Sequence, residues 1–472
     1  MQSDESTAAE PIAGDGILSA RYRLVTLGAL AIVFLSAFEN LAVTTIMPVI
    51  SRELDGASLY AVSFAGPLAA GVVGMVLAGN WADRSGPRIP LYGSVALFAI
   101  GLVVAGFATT MWTVVIGRLV YGLAAGAMTV ALYVIVARFY PARLQPQIFG
   151  AFAAAWVIPA LVGPFIAGWV GETVGWRWVF LGVVVLVVLA LIMVVPAMRE
   201  LSGSDGETTV PWSVSRILWS VLLAVAVLGL SLSAELHGVL SYIVAVAALV
   251  MALVAVRPLL PRRTLSGQRG LPSVLLVRGV LAGAYFGAEV YLPYLLTGEF
   301  LLTPTMAGLS LTGAGVAWGL ASWLQGKYSD RLGTGMSLRL GMSVVLLAVL
   351  ASFATSFFGL PAWVAIAGWT LGGAGMGTVY PRLSVLTLGY SSRDSQGFNS
   401  AALSIADAVG PGVTLAVLGV LFANVEGGEA QLSFGSVFLV TVLLAAIALV
   451  MCGRVFLPRA ISREAPDAGL VP

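Results

Sequence analysis

Long apolar stretches, broken by short clusters of glycine, proline and charge, set the pattern of this chain from residue 22 onward. A helix rises 1.5 Å per residue, so about 20 apolar residues cross the hydrocarbon of a bilayer. Six such runs fall at 22–50, 59–82, 89–109, 111–137, 147–170 and 176–198. A polar stretch follows, and then two runs at 217–233 and 239–256 that read as an inserted hairpin. Six more lie at 271–296, 305–326, 338–358, 363–388, 397–423 and 433–457. The pattern predicts an all-α polytopic membrane protein with fourteen transmembrane helices. Its parts are a tail over 1–20, a six-helix bundle over 21–198, a linker with the extra hairpin over 199–270, a second six-helix bundle over 271–458, and a tail over 459–472.

Composition sharpens this picture. Of 472 residues 59% are hydrophobic and 10% charged, with a mean hydropathy of +0.99, which excludes a soluble protein built on one buried core. The first twenty residues lack the basic start and small-residue cleavage site of a secretory signal and read as a disordered cytoplasmic tail. A single cysteine, Cys452, excludes an intrachain disulfide, and a single histidine, His237, argues against a metal or haem centre. No cofactor and no nucleic-acid partner is expected. Without a nucleophile–base pair or phosphate-binding loop, an enzyme is the weakest reading.

The net charge of +2 says less than where the cations lie. With the N-terminus in the cytoplasm, Arg84 and Arg88, Arg138 and Arg143, Arg199 and Arg216, the run from Arg257 to Arg269, Lys327, Arg331 and Arg339, Arg382 and Arg393, and Arg454 to Arg463 all fall inside; only Arg52 and Arg177 fall outside. That is the distribution expected of cytoplasmic loops, so both termini are placed in the cytoplasm. The preference for Arg over the lone Lys327 points to a GC-rich bacterium and hence to a bacterial inner membrane.

The two bundles carry matching landmarks. Gly79-Asn-Trp-Ala-Asp83-Arg84-Ser-Gly86-Pro-Arg88 is echoed by Gly326-Lys-Tyr-Ser-Asp330-Arg331-Leu-Gly333, 247 positions later. Glu39 matches Glu289 at 250, Gly117 matches Gly368 at 251, and Gly163-Pro164 matches Gly410-Pro411 at 247. Four landmarks in one order and nearly one interval indicate an internal duplication.

These motifs resemble the major facilitator superfamily and, more narrowly, its fourteen-helix drug:proton antiporter family. Gly79 to Arg88 is similar to the family's G-x-L-A-D-R-x-G-R-K loop, departing at Asn80-Trp81 and Pro87. Glu39 to Pro48 is similar to L-D-x-T-x-V-N-V-A-L-P with Glu for Asp, and Arg118-Leu-Val-Tyr121-Gly122 resembles R-x-x-Q-G. Pro159-x-x-x-Gly163-Pro164-x-x-Ala167-Gly168 resembles the exporters' G-x-x-x-G-P-x-x-G-G. The resemblance implies the major facilitator fold of two six-helix halves plus the hairpin. It further implies a monomeric, proton-coupled exporter of lipophilic, cationic drugs that works by alternating access, with the proton gradient as its energy source. An exporter of an endogenous lipid or secondary metabolite is the alternative, followed by a nutrient importer and by a non-transporting scaffold or sensor.

Acids within apolar spans are costly and mark function. Glu39, Glu289 and Asp407 are such acids. Glu39 and Arg118 fall at similar depth from the outer surface and can pair; an apolar cavity favours the neutral acid and a neighbouring Arg the carboxylate, so Glu39 is a proton carrier or a static polar clamp. Glu289 shares a helical face with Tyr285, Phe286 and Pro293, and Trp369 stands where an Arg matching Arg118 would be. It suits a substrate cation, a second proton or a protonated helix-to-helix hydrogen bond. Asp407, facing Ser404, relays protons inward or packs.

Tyr121, Trp156, Tyr285, Phe286, Tyr291, Tyr294, Trp318 and Trp369 are candidates for stacking on a flat or cationic substrate, or each for facing lipid or neighbouring helices. Gly122 and Ala125 read first as a packing seam. Gly79, Asp83, Arg84, Gly86, Arg88, Asp330 and Arg331 form a candidate conformational latch, and Gly163-Pro164 and Gly410-Pro411 candidate helix kinks. Glu235 and His237 lie in the external turn of the hairpin. A cysteine at Glu235 in a Cys452→Ser background should react with a membrane-impermeant thiol reagent added outside cells; labelling from the cytoplasmic face alone would break the fourteen-span reading.

Overall fold

The computed structural model describes residues 16–20, 22–141, 144–200, 212–236, 239–327, 333–391, 396–423 and 430–457. Among them are fifteen α-helices and no strand. The first group is α1 (Arg23–Glu53), α2 (Val62–Ser85), α3 (Arg88–Gly106), α4 (Met111–Phe139), α5 (Gln145–Ala154), α6 (Val157–Thr173) and α7 (Arg177–Glu200). The hairpin is α8 (Val214–Leu232) and α9 (Val239–Val256). The last group is α10 (Leu271–Gly298), α11 (Pro304–Lys327), α12 (Thr334–Phe358), α13 (Ala362–Gly389), α14 (Gln396–Ala423) and α15 (Ala430–Met451). Ten helices among the described residues are long and apolar enough to cross a membrane, which makes this a multi-pass membrane protein.

The helix count differs from the fourteen runs because the run at 147–170 is two helices, parted at Ala155-Trp156. Pro159 is the reason. It has no N–H for the carbonyl four residues back, that of Ala155, and its ring crowds that carbonyl. In the first turn of α6 the same proline is tolerated. Pro164 and Pro411 lie inside helices that continue through them, so the break falls at the proline the sequence reading had not singled out as a kink. The 79–88 stretch also changes. α2 runs on to Ser85, leaving a turn at Gly86-Pro87, where Gly86 takes a φ of +73° closed to most side chains.

The two groups pack by one scheme. α4 lies on α2 and α3, α1 on α6 and α7, and α3 on α7; likewise α13 lies on α11 and α12, α10 on α14 and α15, and α12 on α15. Lipid offers no hydrophobic drive between helices, so contact rests on close backbone approach at small residues. A methyl group at Gly126 would overlap the Gly71 carbonyl, one at Gly122 the Pro67 carbonyl, and one at Gly373 the Ala314 carbonyl. Gly122 is therefore a packing glycine. The groups meet along α6 and α11 and along α2 and α14, and α8 packs on both α2 and α14. The hairpin thus lies across one seam between the halves.

Replacing Gly126 by Val should push α4 off α2 and lower stability by about 1–3 kcal/mol, seen as an earlier thermal transition in detergent. Gly182→Ala, which meets no neighbouring atom within 4 Å, should leave the transition in place or raise it slightly.

Candidate functional site

Two charge centres are buried in the apolar interior, one in each half. In the first, Glu39 sits in the middle of α1 and Arg118 is the eighth residue of α4. Arg118 Nη1 donates to Glu39 Oε1 at 3.2 Å, with the side chains 4% and 1% exposed. Arg118 Nε donates to the Ser63 carbonyl at 2.5 Å, and its guanidinium lies 5.3 Å from the Phe64 ring and 5.8 Å from that of Tyr121. The Tyr121 hydroxyl donates to the Ser36 carbonyl at 3.5 Å. Glu39 Oε2 is buried with no hydrogen-bond partner. A buried carboxylate is stable only when its lone pairs are met, so this pair is held by one bond where two are possible.

The second centre uses a residue that the sequence reading missed. Arg278, the eighth residue of α10, grips Asp407 of α14 through Nε to Oδ1 at 2.6 Å and Nη2 to Oδ2 at 2.9 Å. Its Nη1 donates to the Tyr380 carbonyl at 2.9 Å, and the Tyr380 ring lies 3.4 Å from the guanidinium. Asp407 is thus a counter-ion with its side chain 30% exposed, rather than an acid answered by Ser404. Tyr133 of α4 comes within electrostatic range of the pair from the other half. The signal was present: an arginine inside an apolar span marks a site as surely as an acid does.

Glu289 is half-buried on α10, eleven residues beyond Arg278, and makes no ion pair or hydrogen bond among the described residues. Aromatic rings surround this part of α10. Tyr285 stacks on Trp369 at 4.6 Å and 19°, and Trp318 lies 5.8 Å from Tyr285, 6.3 Å from Phe286 and 5.2 Å from Tyr380. An unpaired acid beside aromatic faces has the chemistry to receive a cation with an apolar body.

The aromatic candidates do not form one lining. Tyr285, Phe286, Trp318 and Trp369 gather near Glu289, while Tyr121 belongs to the Arg118 centre. Tyr291 and Tyr294 stand in a seam between the halves with Tyr60 and Phe422, and Trp156 is 44% exposed at the break before α6. Tyr60, in that seam, donates to the Val290 carbonyl at 2.8 Å. Glu172 of α6 accepts from both the amide and the hydroxyl of Thr305 at 2.7 Å, capping the start of α11. Both contacts join the halves at the end where α1 finishes.

At the opposite end, the latch candidates Gly79, Asp83 and Arg84 belong to α2, Gly86 to the turn and Arg88 to the start of α3. Arg138 of α4 caps α2 by donating to the Ala82 carbonyl at 3.2 Å. Asp330 and Arg331 lie outside the described residues, as does His237, and Glu235 is exposed in a short 3-10 turn after α8. Among the described residues no group of His, Cys, Asp and Glu is arranged to hold a metal.

Residues 29–288 match the family model described as Major Facilitator Superfamily. Among curated proteins, the MFS efflux transporter aclA of Aspergillus oryzae is 30% identical over 41% of this chain and 36% of its own length. The multidrug efflux pump SdrM of Staphylococcus aureus is 21% identical over 86% of this chain and 90% of its own. The first three curated relatives are spanned over 28–36% of their length. The crystal structure of a D-xylose–proton symporter superposes with a TM-score of 0.67 at 15% identity, over 92% of this chain and 98% of that one, a likeness of fold alone.

Arg278→Leu strands the Asp407 carboxylate and should cost about 3–5 kcal/mol of stability, whereas Arg278→Leu with Asp407→Leu should recover most of it. Thermal unfolding of wild type and the two variants in detergent measures both; equal losses in the single and double variants would mean the pair is not what holds α10 to α14.

Proposed function

The chain belongs to the major facilitator superfamily, and from that premise we propose that it is a proton-coupled exporter of lipophilic, cationic compounds. It works by alternating access between the α1–α7 and α10–α15 halves, as a monomer in a bacterial inner membrane with both termini cytoplasmic. Its fourteen spans count α5 and α6 as one. The proton gradient is its energy source, and no cofactor takes part.

The observation that carries this reading is the half-met carboxyl of Glu39. Protonation removes a buried charge, turns an acceptor into a donor and frees Arg118 from its single bond. Deprotonation restores the pull of Arg118 on α1. One proton thus changes which contacts tie α1 to α4 and α2, and a ligand that favours one of those states shifts the balance between conformations. Glu289 supports the cationic cargo, because its carboxyl has no counter-ion among the described residues and its surroundings are rings. Asp407 takes part only when its two-point bond to Arg278 opens.

The bonds of Tyr60 and Glu172 that join the halves at the end where α1 finishes support an inward-facing reading, in which the Gly79–Arg88 turn would be the latch of the other end. Relatives named for multidrug efflux fit this reading. A cargo of neutral lipid or metabolite would leave Glu289 without a task.

Purified protein in liposomes under an imposed pH gradient, followed with fluorescent lipophilic cations, tests the proposal. Wild type should move the cations with the gradient. Glu39→Gln should lose gradient-driven movement roughly 5- to 150-fold, the span of typical couplings between linked sites, while still folding. Glu289→Gln should weaken binding of cations more than of neutral dyes. Full antiport by Glu39→Gln would remove that residue from coupling, and a folded wild type that moves no cation would leave neutral cargo as the reading to pursue.

A further inference from the structure

The segment between α9 and α10 is the densest positive charge of the chain, with Arg257, Arg262, Arg263 and Arg269 in thirteen residues and no acid among them. All four are exposed. None has an ion pair among the described residues, and the one hydrogen bond that their side chains make there is Arg263 Nη1 to Gln268 Oε1 at 3.3 Å. Like charges held together without counter-ions repel, so the arrangement favours an anion arriving from outside.

The segment is built rather than slack. Thr264 donates its hydroxyl to the Pro261 carbonyl at 2.7 Å, Ser266 to Arg263 at 2.9 Å, and Ser273 to Gly267 at 2.9 Å. The Gly270 amide donates to the Arg454 carbonyl at 3.1 Å, and Arg454 Nη1 to the Gly267 carbonyl at 3.4 Å, tying the segment to the turn after α15. These turns leave a depression of about 340 Å³ lined by Arg257, Arg262, Arg263 and Ser266 on its polar side and by Leu260 and Leu265 on its apolar side.

What leads to this depression identifies the anion. α9 is an apolar span ending at Val256, so Arg257 stands at the boundary between hydrocarbon and water. Val246, Val250 and Val254 are exposed at helical spacing and point along α9 to Arg257. An amphiphile with acyl chains on that stripe delivers its headgroup to the arginines; a free phosphate makes no use of the stripe. We propose that the depression binds the phosphate headgroup of an anionic phospholipid, with the acyl chains lying along α9. Because α8, the partner of α9, packs on both α2 and α14, the lipid anchors the element that covers one seam between the halves. This holds whatever the cargo is.

The test uses delipidated full-length protein in detergent, titrated with phosphatidylglycerol, phosphatidylcholine or inorganic phosphate, and read by native mass spectrometry and thermal unfolding. Phosphatidylglycerol should be retained and should raise the transition, less so at high salt, while phosphatidylcholine and phosphate should not. The Arg257→Gln/Arg262→Gln/Arg263→Gln variant should bind phosphatidylglycerol roughly a hundredfold more weakly, about 3 kcal/mol at 1.4 kcal/mol per tenfold. Equal binding by the variant, indifference of wild type to salt, or protection by inorganic phosphate equal to that by the lipid would each overturn the proposal.

Discussion

Backbone touching backbone is the constraint on which this structure rests. Where Gly126 meets Gly71 and Gly373 meets Ala314, two helices come closer than any side chain allows, and dispersion between main chains supplies what lipid cannot. The same close approach recurs between the halves, where a methyl group at Gly308 would overlap the Pro164 carbonyl and one at Gly315 the Ala160 carbonyl.

On that frame the two charge centres are not copies of each other. Arg118 and Arg278 are each the eighth residue of a helix, yet Arg118 sits on the fourth helix of its half and reaches back to the first, while Arg278 sits on the first of its half and reaches forward to α14. The N-terminal pair is sealed and bonded once; the C-terminal pair is bonded twice and partly open. The halves share one packing scheme but place their charges differently. Glu289, the counterpart of Glu39, was left without an arginine, because Trp369 occupies its place and stacks on Tyr285 instead.

Much of this was legible in the sequence, for definite reasons. Span length is fixed by bilayer thickness, so a multi-pass helical protein could be read from apolar runs, and depth along a helix is arithmetic, so Glu39 and Arg118 could be brought together from sequence alone. The failures share a cause. Pro159 parts α5 from α6 through a bond that its neighbour loses, which no hydropathy sum registers. Asp407 was matched with Ser404 because both lie on α14, whereas its partner is on α10 and needs the packing of the half to be found. The aromatic residues were pooled by type, but ring identity carries no direction. Only the fold sends Tyr291 and Tyr294 to a seam with Tyr60 and keeps Tyr285 beside Glu289.

The contacts that close the halves at the end of α1 have a further property. Tyr60 is answered by the carbonyl of Val290 and Glu172 in part by the amide of Thr305, a carbonyl that every residue offers and an N–H that every residue except proline offers. These two bonds thus join side chains of one half to main-chain groups of the other, with the Thr305 hydroxyl as a second donor to Glu172. Mutational drift at 290 leaves its bond intact so long as α10 keeps its course, while drift at 60 abolishes it. The junction between the halves at this end is thus more sensitive to substitution at 60 than at 290.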